Sequence, residues 1–146
     1  MRFRLINMTD LDIKKHKEYW LRNSKTKWEA AEVLYQGKKY VEALFFCHLT
    51  LECLLKGLVV EKISNEAPYI HNLIRLAELT ELDLTKRQKD LLKVVSTFNL
   101  RTRYEDYKFQ FYKKATKSYT EKYLKESDNI RLWLSKKLTN DKQKNS

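Results

Sequence analysis

At 146 residues the chain has the length of one ordinary domain, and its 42% apolar residues suffice for one buried core. Two glycines and one proline in the whole chain leave too little turn chemistry for a many-stranded sheet, so the class expected is all-α. The net charge of +11 raises a potential that attracts phosphates and anionic surfaces, and a solvated lysine-rich surface would carry the same charge.

The start, MRFRLINMTD, lacks the continuous apolar stretch of a signal peptide. No window approaches the ~18 apolar residues of a membrane span. The expected compartment is therefore the reducing cytoplasm, with no membrane partner. Thr9 or Asp10 offers an N-cap, and Ile13, Trp20, Trp28, Ala31, Leu34 and Tyr35 follow at helical spacing. Gly37 can end this first helix, and the short GKKY segment returns the chain antiparallel. From Tyr40 to about Lys62 the seam Leu44, Cys47, Leu51, Leu54, Leu55 and Leu58 is widened by Phe45, Phe46 and Leu49, which predicts a central helix contacted on several sides. Cys47 and Cys53 are six residues apart and point roughly 240° apart on that helix, so they cannot pair within it.

SNEAP breaks the second helix, because Pro68 disfavours helical geometry at the residue before it. A short third helix carries Leu73, Leu76, Ala77 and Leu79. Thr85 with Gln88 then forms a capping-box pattern for a fourth, carrying Leu91, Leu92, Val95 and Phe98. NLRTRYEDYKF has no clear period. A last helix is expected from about Ala115 to Leu138, with Tyr119, Tyr123, Ile130, Trp133 and Leu134. The prediction is a single domain over residues 1–138, an up-and-down bundle of four to five helices, with residues 139–146 as a frayed polar tail. From Arg101 onward, thirteen Lys/Arg face six Asp/Glu, so this third holds seven of the eleven excess charges.

Several pieces in this order resemble a known pattern. AAEVLYQGKKYVEALFFCHLTLECLLKGLVVEK, then APYIHNLIRLAEL, then RTRYEDY present a Gly-Lys-x-Tyr turn, a helix with His, Glu and Lys at four-residue steps, a His-x-Leu and a late Arg-Tyr. Over Trp28 to Trp133 the chain resembles the bacterial and archaeal HEPN family, helical domains associated with nucleotide binding. The resemblance implies a HEPN-like bundle that tends to dimerise and is often paired with a minimal nucleotidyltransferase.

His48, Glu52 and Lys56 form one polar stripe on the apolar second helix. Two readings fit. In the structural one Glu52 pairs with Lys56, His48 donates to a neighbour, and the stripe closes the edge of the core. In the functional one the stripe faces Arg101, Arg103 and Tyr104 in a cationic pocket that holds a phosphate and a base. RTRYEDY, including Tyr107, divides the same way: guanidinium on phosphate and ring on base, or salt bridges and a buried tyrosine tying down the last helix. His71 reads as a capping or packing residue, and His16 as a surface one.

Ribonucleases of the HEPN superfamily carry an Arg followed four to six residues later by His. Here those positions hold Glu105, Asp106 and Tyr107 after Arg101, and Tyr107, Lys108 and Phe109 after Arg103; no histidine follows His71. The chain departs from that pattern, which leaves catalysis to an atypical site at His48 or Tyr107 that no motif supports. No metal-ligand spacing is present, and glycines at 37 and 57 alone exclude a P-loop or dinucleotide fingerprint. No cofactor or metal is expected. The function expected is a non-catalytic nucleotide- or RNA-binding module that partners a nucleotidyltransferase. The alternatives are an atypical ribonuclease acting as the toxin of a toxin-antitoxin pair, or a structural homodimer whose nine tyrosines and three tryptophans line a dimer seam.

Overall fold

The computed structural model describes residues 8–101 and 103–140. Thr9 opens the first helix, α1 (Asp10–Gln36), through a capping box: its hydroxyl accepts from the Asp12 amide at 3.1 Å and the Asp12 carboxylate accepts from the Thr9 amide at 3.2 Å. Gly37 caps its end, and Lys38 at φ 61° turns the chain into α2 (Tyr40–Ile63). The two helices run antiparallel. The Met8 amide donates to the Ser64 carbonyl at 3.2 Å, and Lys17 pairs with Glu61 at 3.3 Å, so the start of α1 lies beside the end of α2.

α2 is buried nearly all round, as its multi-sided apolar pattern predicts. By length and composition it is long and apolar enough to cross a membrane, which amends the reading that no stretch approaches that limit. Its apolar window lies mostly buried inside the bundle, the position of a core helix. Both cysteines are free and buried on it.

α3 (Leu73–Thr80) is capped by Asn72, and α4 (Lys86–Ser96) by the predicted Thr85–Gln88 capping box. The Leu73 amide donates to Ser96 Oγ at 3.1 Å, which ties the start of α3 to the end of α4. The fourth helix is shorter than its apolar pattern implies. Phe98 lies beyond its end yet is fully buried, stacked on Phe111 at 5.4 Å between ring centroids.

Six helices, not four to five, stand among the described residues. The added one is α5 (Glu105–Lys114), in the segment without a clear period. Only Phe111 is fully buried on it, with Tyr107 half-buried, whereas Phe109 and Tyr112 face solvent, so its aromatic residues do not mark one face. Thr116 then caps α6 (Lys117–Thr139), close to the expected bounds. The predicted frayed tail falls largely on 141–146, outside the described residues.

α6 runs parallel to α2 and antiparallel to α1. Near its start Tyr35 of α1 donates to Glu121, and near its end Leu138 meets α2 at Gly57. A Cβ built on Gly57 would lie 2.9 Å from Leu138 Cδ2 and 3.3 Å from Trp20 Cβ. The missing side chain is what lets three helices converge there. The result is an all-α bundle with α2 at its centre.

Candidate functional site

A carboxylate inside an apolar helix is costly unless its lone pairs are filled. Glu52 is 5% exposed and its two oxygens are filled from three directions. Oε1 accepts from Arg101 Nη2 at 2.6 Å; Oε2 accepts from His71 Nδ1 at 2.8 Å and pairs with Lys56 Nζ at 3.1 Å. Burial alone pushes this carboxyl up, but the hydrogen bonds from His71, Arg101 and Lys56 outweigh it and hold Glu52 below the usual carboxylate range. Each partner comes from a different place in the chain. Lys56 is one turn along α2, His71 lies on the loop before α3, and Arg101 on the turn after α4.

That turn is organised by Asn99. Its side-chain Oδ1 accepts from the Arg101 amide at 3.0 Å and from Arg101 Nε at 3.1 Å, and its carbonyl accepts from Arg103 Nε at 3.2 Å. Two arginines are thereby held on one residue. Arg103 lies over the Tyr107 ring at 4.6 Å, and the Tyr107 hydroxyl donates to the Thr97 carbonyl at 2.5 Å. Arg101 lies 5.9 Å from the Phe45 ring, which stacks in turn on His48.

His48 is fully buried and neither ring nitrogen makes a hydrogen bond among the described residues; Nε2 stands 3.6 Å from Glu52 Oε1. Burial pushes its pKa down to about 4. It is a neutral packing residue that no substrate reaches. The cluster reaches solvent instead through Arg101 and His71, whose side chains are 37% and 40% exposed.

The structure therefore joins Glu52 and its partner Lys56 to Arg101, one part of the juxtaposition on which the functional reading depends; Glu52–Lys56 pairs as the structural reading has it, but His48 donates to no neighbour among the described residues. Arg103 and Tyr107 sit on the adjoining turn through Asn99 and Thr97. Tyr104, the N-cap of α5, is 86% exposed and is not among the Glu52 partners. Sequence reasoning misses two members. His71 reads there as a capping or packing residue, but the cap of α3 is made by Asn72, and His71 bonds Glu52. Asn99 belongs to no motif. The signal is present in Glu52: one acid amid apolar neighbours demands more donors than Lys56 supplies.

Chemically, the Arg101 guanidinium has five N–H donors in a planar fork and spends some of them on Glu52 and Asn99, leaving others for a bidentate contact with phosphate oxygens. Among the described residues no group of three or more His, Cys, Asp or Glu has the arrangement to hold a metal ion.

The family model described as HEPN domain matches residues 17–138. The chain belongs to the HEPN domain family. The same fold is seen in the crystal structure of TT1696 from Thermus thermophilus, which is 21% identical and superposes with a TM-score of 0.68 over 83% of this chain and 97% of that one. At that identity the likeness concerns the fold alone. No curated protein matches the chain.

Proposed function

We propose that this HEPN domain is a non-catalytic module that binds a nucleotide or RNA phosphate at Arg101 and Arg103 and docks a separate minimal nucleotidyltransferase. The observation that carries the reading is the mounting of the two arginines: Asn99 holds both, and buried Glu52 anchors Arg101 at 2.6 Å. A guanidinium already fixed in direction loses less freedom when it binds an anion. The positive excess from Arg101 onward favours the same class of ligand. In this reading the module works in the cytoplasm as a homodimer, for which the exposed Tyr104, Phe109 and Tyr112 along α5 offer the aromatic surface that interfaces favour.

A second reading, an atypical ribonuclease, has one observation in its favour. His71 is held by Glu52 at 2.8 Å beside Arg101 and is open to solvent, an imidazole–carboxylate pair next to a phosphate-binding group. The catalytic group would then be His71 rather than His48 or Tyr107, since His48 is buried and the Tyr107 hydroxyl is engaged by Thr97.

Calorimetric titration with ATP, GTP and a short RNA, at low and raised salt, tests both. Saturable binding that is weakened in Arg101→Ala and Arg103→Ala, with the RNA left intact, is the expected result. Absence of binding would defeat the module reading, and RNA cleavage lost in His71→Ala would replace it with the second.

A further inference from the structure

A cavity of about 550 Å³ opens between α1 and the loop that follows α2. Its aromatic lining is Tyr19, Trp20 and Tyr69; Lys15 and His16 supply positive or polar groups at its wall, and Lys56 enters it from α2. Its size is within the range of small-ligand sites. Tyr19 and Trp20 form an edge-to-face pair at 5.0 Å, and Lys56 Nζ lies 5.4 Å from the centre of the Trp20 ring. Tyr69 is 98% exposed. A large ring left in water has no packing role in the folded chain, and here it stands at the lip of an aromatic cleft.

The cleft adjoins the Glu52 cluster. Lys56, part of its lining, bonds Glu52 Oε2 at 3.1 Å, and His71 reaches the same oxygen at 2.8 Å. One loop serves both places: Glu66, Pro68 and Tyr69 line the cleft, and two residues further on His71 turns to Glu52. Arg101 bonds one oxygen of Glu52 while Lys56, which lines the cleft with Lys15, His16 and Glu66, pairs with the other. We infer that the cleft is a nucleobase site, in which the base of a nucleotide stacks against Trp20 and Tyr69 while its phosphate is held from the Arg101 side. The inference rests on the phosphate-binding reading of Arg101 and extends it to the rest of the ligand. A nucleotide has the two chemistries required, a flat π-face and an anion. It is available either free or as one unit of an RNA chain.

The test is titration of the full chain with AMP, a tetra-adenylate RNA and inorganic phosphate. The variants are Tyr69→Ala, which removes an exposed ring and spares the fold, Trp20→Phe, and Arg101→Ala. Tyr69→Ala should weaken AMP or the tetranucleotide by about tenfold and leave inorganic phosphate unchanged, while Arg101→Ala weakens all three. Tight binding of AMP identifies the free nucleotide as the ligand, and tight binding of the tetranucleotide alone identifies RNA. If both aromatic variants bind as the parent does while Arg101→Ala fails to bind, the base site is refuted and the phosphate site stands. If Arg101→Ala binds normally and Tyr69→Ala does not, the phosphate reading falls and the cleft stands. No binding by the parent chain overturns both.

Discussion

Arg101 and Glu52 are 49 residues apart in sequence and 2.6 Å apart in space. That contact bridges the centre of α2 and the turn between α4 and α5, and it leaves the carboxylate buried among three donors. Removing the acid strands cations that were placed for it. Glu52→Ala should therefore lower stability by roughly 3–5 kcal/mol, the range for a broken buried pair, read from urea unfolding at pH 7. A loss below about 1 kcal/mol would mean that Lys56 and Arg101 find water without cost. Replacing Glu52 and Lys56 together by Leu and Met should recover much of the loss, because no buried charge is then left on α2.

How much of this arrangement is legible in the sequence follows from the range of the interactions involved. Thr85 and Gln88 announce their capping box because both partners lie within one helical turn. α2 announces its central place because its neighbours are apolar on every side. The stripe His48, Glu52 and Lys56 is legible for the same local reason. The donors that complete it are not: His71 is 19 residues from Glu52 and sits on a loop, where no periodicity fixes direction. α5 is hidden differently. Its buried Phe111 and half-buried Tyr107 are four apart, but the exposed Phe109 and Tyr112 blur the face.

His48 predicts a pH response. Its folded pKa is near 4 because burial penalises the charged ring, against the usual 6.5 in the unfolded chain. Between those values the unfolded state carries more protons, so stability is full above pH 6.5 and falls as the pH drops toward 4, by about 3 kcal/mol. Glu52 adds a separate, more acidic loss. Its folded pKa lies below the usual 4.5, so its contribution is in place above that pH and disappears as the pH falls through the folded value. Unfolding midpoints at pH 7.5, 6, 5 and 4 should fall in the parent chain and change less over 6.5 to 4 in His48→Leu; identical slopes would remove His48 from the account.

Gly57 predicts a steric limit. With Leu138 Cδ2 at 2.9 Å and Trp20 Cβ at 3.3 Å from the position of a Cβ, Gly57→Val forces both neighbours away and should cost about 1–3 kcal/mol. Pairing it with Leu138→Ala returns space at the closest contact. The double variant should be more stable than the sum of the two single losses allows, measured by a double-mutant cycle.

Tyr107→Phe separates the two jobs of that side chain. The ring beneath Arg103 is kept and the hydrogen bond to the Thr97 carbonyl is lost. A loss of about 1 kcal/mol is expected, together with faster hydrogen exchange of the α5 amides. Unchanged exchange there would show that α5 is held by Phe111 and Ala115 without help from the hydroxyl.

Three helix-end residues, Lys38, Ser64 and Glu81, have φ of 61°, 54° and 58°, while neither glycine of the chain takes a positive φ. Left-handed backbone costs an ordinary residue roughly 1 kcal/mol more than it costs glycine. The fold therefore carries unused headroom at these three positions. Glycine at these positions would relax the turns without touching the Glu52 cluster, and a chain so stabilised could absorb the damaging substitutions needed to dissect the cluster and still fold.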